Sequence, residues 1–120
     1  PIRTAKGPLE IVGASSPYGL KTFKIGDEKY RPAENAILKF DIYSPVPTVL
    51  QVTACVHAGG KTEKFFCNLR VSGGVRWSNH LLNAKDFKND INKPLSQLRD
   101  VASLSFYSPD DFILNNLLWL

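Results

Sequence analysis

Apolar and polar residues alternate with a period of two along most of this chain. Residues 36–43 set Leu38, Phe40 and Ile42 on one side and Lys39, Asp41 and Tyr43 on the other, the pattern of a strand with one buried face. Pro45 and Pro47 end that strand, because a proline has no N–H to give to a ladder. Residues 48–57 repeat the alternation, with Leu50, Val52, Ala54 and Val56 opposed to Gln51, Thr53, Cys55 and His57. Gly59 and Gly60 then supply a turn, since glycine takes positive φ without steric cost. Residues 64–71 return with Phe65, Cys67, Leu69 and Val71 on one face and Phe66, Asn68 and Arg70 on the other. Together these runs predict a β-hairpin.

Further strands are expected over 75–82, 101–107 and 112–119, and at the front over 9–12, 20–25 and 28–31. Gly, Pro, Asn, Asp and Ser separate these eight or nine short segments. Only 84–90 and 95–99 have the composition of a helical turn. Regular short strands with turn signals predict an all-β sandwich or barrel, and one-sided alternation favours antiparallel sheets with one face on a core. Neither an internal repeat nor a linker is visible, so residues 1–120 are read as a single domain.

Composition narrows the class. A hydrophobic fraction of 43% with 22% charged residues is that of a globular chain and argues against disorder. The apolar cluster at 112–120 is interrupted by Asn115 and Asn116 and is too short to span a bilayer, so no membrane partner is expected. The chain opens Pro1-Ile-Arg-Thr4, without an apolar leader segment, and contains no Met. A processed chain, or a piece of a larger multidomain protein, would have these features. The formal net charge is +4, yet the lysines are scattered and form no basic run. A solvated surface explains them, and no nucleic-acid partner is expected.

Two cysteines lie on the two arms of the predicted hairpin. Cys67 shares its face with Phe65 and Leu69, whereas Cys55 sits with Thr53 and His57. Residues cross-linked across a sheet must share a face, so free thiols are expected, with Cys67 buried.

The second half of the chain carries a resemblance. It reads Trp77-Ser-Asn-His-Leu-Leu-Asn-Ala-Lys-Asp-Phe87, then Lys93-Pro-Leu95, then Asp100-Val-Ala-Ser-Leu-Ser-Phe106, then Phe112-Ile-Leu-Asn-Asn-Leu-Leu-Trp119. With the upstream Phe40-Asp-Ile-Tyr-Ser-Pro45, it resembles jelly-roll carbohydrate-binding modules and related galactose-binding-like domains attached to polysaccharide-degrading enzymes. The resemblance covers about two thirds of the chain and implies an antiparallel β-sandwich of jelly-roll type. It also implies Trp77 and Trp119 as packing residues. Such modules often carry Asp on the last strand, where it can assist a structural calcium ion. This chain has Asn115 there, and the loss of a charge lowers calcium affinity. No cofactor is therefore expected, and a structural calcium is left as the exception.

Enzymatic signatures are missing from the sequence. His57 and His80 are its two histidines and show no metal-ligand spacing. No nucleophile elbow, P-loop or dinucleotide fingerprint is present, and Asp110-Asp111 after Ser108-Pro109 reads as a turn. Cys55 and His57 share a face, but nothing there lowers a thiol pKa. The expectation is a non-enzyme.

Binding fits better. A sandwich uses one face of each sheet for its core and leaves the other free. The free face is expected to carry Tyr43, Gln51, Thr53, His57, Phe66, Asn68 and Arg70, with Lys39 and Asp41 beside them. Aromatic rings stack on the C–H faces of pyranoses, while amides and charged groups bond their hydroxyls. Arg70 offers a fork of donors for vicinal hydroxyls or a uronate. Tyr18, Tyr30 and Tyr107, beside turns, would instead rim a site at the loop ends, and the sequence leaves both placements open. The function expected is non-catalytic binding of polysaccharide, targeting a covalently linked catalytic domain of a secreted enzyme, outside the cell or at its surface. The alternative is a structural or protein-interaction sandwich of a multidomain glycoside hydrolase, with no glycan site.

Overall fold

A computed structural model describes residues 2–4, 7–12, 35–74 and 76–120. The strands expected over 20–25 and 28–31, and Tyr18 and Tyr30, lie outside the described residues.

Eight strands are described: β1 (Ile2–Thr4), β2 (Gly7–Val12), β3 (Leu38–Tyr43), β4 (Thr48–Ala58), β5 (Lys61–Val71), β6 (Ser78–Leu82), β7 (Val101–Ser108) and β8 (Phe112–Trp119). They form two antiparallel four-stranded sheets, ordered β1-β8-β3-β6 and β2-β7-β4-β5. This is the strand order of a jelly roll, in which each described strand passes to the other sheet except at the β4–β5 hairpin. The two regions with helical composition hold single 3-10 turns, at Ala84–Asp86 and Leu98–Asp100.

The alternation read from sequence sets the core. Leu38, Phe40 and Ile42 of β3 face Leu50, Val52 and Ala54 of β4 and Leu104 and Phe106 of β7, all fully buried. Phe40 and Phe106 meet edge to face at 5.6 Å, the geometry aromatic quadrupoles prefer. Phe87, Leu95 and Leu98, from the segment between β6 and β7, close the core.

The β4–β5 hairpin runs in unbroken register from Thr48↔Val71 to Ala58↔Lys61. Its tip is the Gly59-Gly60 pair, at φ 58° and 77°, as a two-residue turn matching the strand twist requires. Among the described strands β5 is an edge strand, and the chain covers part of that edge. Lys88 exchanges both backbone hydrogen bonds with Phe66, at 2.8 and 3.0 Å, which satisfies groups that would otherwise template another chain.

Both cysteines are free. In register, Cys55 faces Lys64 and Cys67 faces Val52, so the two thiols point to opposite sides of the sheet. Burial raises the Cys67 pKa, and the nearby Asp86 carboxylate adds to the effect. His80, across from Phe40 in register, stacks on its ring at 5.5 Å. Its Nε2 is buried without a hydrogen-bond partner among the described residues. Burial lowers the His80 pKa, and the Asp41 carboxylate partly opposes that.

Candidate functional site

The outward face of the β2-β7-β4-β5 sheet is a lattice whose rows follow from strand register. Residues paired across antiparallel strands share a face and lie about 5 Å apart. One row is Tyr107, Gln51 and Asn68; the next is Ser105, Thr53 and Phe66; the third is Ser103, Cys55 and Lys64. His57 and Thr62 follow at the hairpin end, with a 2.9 Å hydrogen bond between His57 Nδ1 and Thr62 Oγ1. The alternate residues of β4, β5 and β7 pack into or against the core, so these side chains point away from it.

These rows enclose an open depression of about 510 Å³, floored by serine, threonine and glutamine and walled by Tyr107, Phe66 and Lys64. Tyr107 is 45% exposed. Phe66 is half-buried, a large ring on an otherwise polar face. It also borders a smaller hollow of about 360 Å³ over the β5 edge, lined by Glu63, Asn89 and Asp90. Asn89 holds that rim in place. Its Nδ2 donates to Glu63 Oε2 at 3.0 Å, and its Oδ1 accepts from the N–H groups of Ile91 and Lys93 at 3.2 and 2.8 Å. The loop closes through Asn92 at φ 63°, a left-handed conformation that asparagine tolerates better than most residues.

Of the residues expected to bind, Gln51, Thr53, His57 and Phe66 come together in the depression. Asn68 extends the Tyr107–Gln51 row, and Arg70 lies one step farther along β5, opposite Val49; both are exposed. Tyr43 is elsewhere. It belongs to β3, in the other sheet, where it pairs with Ile113 and its ring lies 5.8 Å from that of Trp77. Alternation predicts whether a side chain faces in or out, but not which of two sheets its strand joins.

Tyr107, Ser103, Ser105 and Lys64 complete the face and were not among the residues expected there. Tyr107 lies within β7 and not at a loop end. The parity of Ser103, Ser105 and Tyr107 against Leu104 and Phe106 is readable in the sequence, whereas the pairing of β7 with β4 is not. Trp77 also departs from expectation: it is 45% exposed, because it directly precedes Ser78, the partner of the inward Ile42, and strand alternation turns it to the outer face beside Tyr43. Trp119 does pack against the core.

Chemically the depression offers hydroxyls, amides, an ammonium and two rings. Asp110 takes part in a turn, its N–H donating to Ser108 Oγ at 3.1 Å. Among the described residues, no three His, Cys, Asp or Glu side chains gather where they could hold a metal ion. No helix among them is long and apolar enough to cross a membrane.

No protein-family model and no curated protein matches the chain. Among solved structures, its fold is similar to that of the family 11 carbohydrate-binding module of cellulosomal cellulase Lic26A-Cel5E of Clostridium thermocellum, with a TM-score of 0.52 and 15% identity. The likeness covers 79% of this chain and 61% of that one, so the chain spans less than two thirds of the module's length. At this identity the likeness shows the fold alone, a β-sandwich.

Proposed function

We propose that the chain is a non-catalytic carbohydrate-binding module, holding polysaccharide on the outer face of the β2-β7-β4-β5 sheet. The observation that carries this reading is the depression of about 510 Å³ between Phe66 and Tyr107. Two rings flank a floor of short hydroxyl and amide side chains, in a hollow open enough to admit a chain from the side. Rings desolvate the C–H faces of a pyranose while the floor replaces water at its hydroxyls. His57, Asn68 and Arg70 extend the contact along the strands. The fold's likeness to a carbohydrate-binding module supports the same assignment.

In this reading residues 1–120 are one domain of a larger secreted protein and act outside the cell or at its surface. A covalently linked catalytic domain would be held near insoluble substrate, raising its effective concentration without any new contact at the active site. The module itself contributes no catalytic group.

Affinity electrophoresis through gels containing different soluble polysaccharides tests the proposal. At least one glycan should retard the 120-residue chain, and Phe66→Ala should weaken the retardation about tenfold, the loss typical of an aromatic anchor. Unretarded migration in neutral and acidic glycans alike would sink the reading in favour of a structural or protein-interaction sandwich.

A further inference from the structure

The opposite side of the sandwich carries a second platform with a different design. On the outward face of the β1-β8-β3-β6 sheet, register sets Asn115, Asp41 and Asn79 in one row across β8, β3 and β6. The adjoining row holds Ile113 and Tyr43, and Trp77 stands at its end, one residue before Ser78, the partner of Ile42. The Tyr43 and Trp77 rings are 5.8 Å apart and inclined by 44°. Trp77 remains 45% exposed. An exposed indole propped against a tyrosine, beside a row of amide, carboxylate and amide, is an unusual use of a surface position, because large aromatics are mostly buried.

We propose that this face is a second glycan-binding surface, specific for a neutral pyranose polysaccharide. The rows are two residues apart along a strand, about 7 Å, a span that one sugar ring with its hydroxyls fills. Trp77 and Tyr43 take the C–H face of the ring. Asn79 and Asn115 donate and accept at the hydroxyls. Charge selects the ligand class. Asp41 stands in the middle of the polar row, with Lys39 next along β3 on the same face. A uronate carboxylate placed on the row would meet Asp41 directly, and like charges at that range repel. The two platforms lie on the outer sides of sheets packed back to back, so the chain holds two glycan strands at once. This surface rests on its own observations and does not depend on the depression around Phe66.

The experiment uses the Phe66→Ala chain, in which the first face is weakened. It is titrated with soluble mixed-linkage β-glucan, galactomannan and xylan, and separately with polygalacturonate, while tryptophan emission and gel retardation are followed. A neutral glycan should shift the emission of Trp77, polygalacturonate should not, and adding Trp77→Ala or Asn79→Ala should weaken the neutral binding about tenfold. Asn79 is exposed, so its variant tests the surface without risk to folding. The inference is overturned if the Phe66→Ala chain binds no neutral glycan, or binds one indifferently to both substitutions. If the unmodified chain binds glycan and Phe66→Ala abolishes it, the first face stands and the second falls. If Trp77→Ala abolishes binding that Phe66→Ala leaves intact, the second stands and the first falls.

Discussion

Phe66 stands directly across from Thr53, and Thr53 in turn from Ser105, so three strands deliver one ring and two hydroxyls to a single row. Phe65, the preceding residue, points the other way and is only 5% exposed. Two adjacent phenylalanines thus serve opposite ends. Phe65→Ala should cost about 3–5 kcal/mol of folding stability, the usual loss for a core phenylalanine, and leave glycan affinity unchanged in whatever fraction stays folded. Phe66→Ala should cost about 1 kcal/mol, in keeping with partial burial, and should weaken binding. Urea unfolding followed by near-ultraviolet circular dichroism, beside gel retardation, separates the two. Equal stability losses would mean that Phe66 belongs to the core.

How far this arrangement is legible in the sequence depends on sequence separation. The β4–β5 hairpin is fully readable, because its alternation and its Gly59-Gly60 turn are local signals. Every inward residue expected there is inward, and the free, oppositely directed cysteines follow from the same parity. Tyr43 shows the limit. Its outward direction is readable, but Pro45 and Pro47 lie where the chain passes between sheets, and no local pattern records that crossing. The contribution of Tyr107 is hidden for a related reason: β4 pairs with β7 only after the chain has formed β5, β6 and two 3-10 turns. Long-range pairing follows from burial of the whole core, to which no single segment holds the key.

Gly73 is held by geometry. It takes φ 76°, and a Cβ there would run into the backbone at Val46 and Pro47. The loop after β5 and the loop before β4 therefore touch backbone to backbone. Gly73→Ala should lower stability by more than about 1 kcal/mol, combining a left-handed penalty with a displaced loop. Gly59→Ala tests the conformational term alone, since its Cβ would meet nothing. Thermal unfolding of the two variants should rank Gly73→Ala as the more damaging, and the reverse order would remove the contact from the account.

Stability should fall away at both ends of the pH scale, for reasons carried by named groups. Folding lowers the His80 pKa from 6.5. Below about pH 6.5 the unfolded chain therefore binds more protons than the folded one, and stability drops as pH falls. Folding raises the Cys67 pKa from 9.0. Above that value the unfolded chain loses its thiol proton first, and stability drops as pH rises. The urea midpoint should be flattest between these two limits. His80→Leu should shrink the acid-side loss while leaving the alkaline side alone, and Cys67→Ala should shrink the alkaline loss. An acid limb identical in His80→Leu would show that other groups carry it.

The two thiols also report on the site. Cys55 lines the depression in the row between Ser103 and Lys64, whereas Cys67 is 8% exposed and its pKa is raised. Cys55 is the more accessible of the two, so in the folded chain near pH 8 a small disulfide reagent should modify Cys55 and spare Cys67. One equivalent should react quickly, and the second only on adding urea. A polysaccharide lying between Phe66 and Tyr107 covers Cys55, so a bound glycan should slow the first reaction in proportion to occupancy. Cys55→Ser should remove the fast phase and, because serine matches the hydroxyl floor already present, should leave binding within about twofold of the unmodified chain. Retardation by a glycan that gives Cys55 no protection would move the binding surface off this face, and the Tyr43–Trp77 side would then carry it alone.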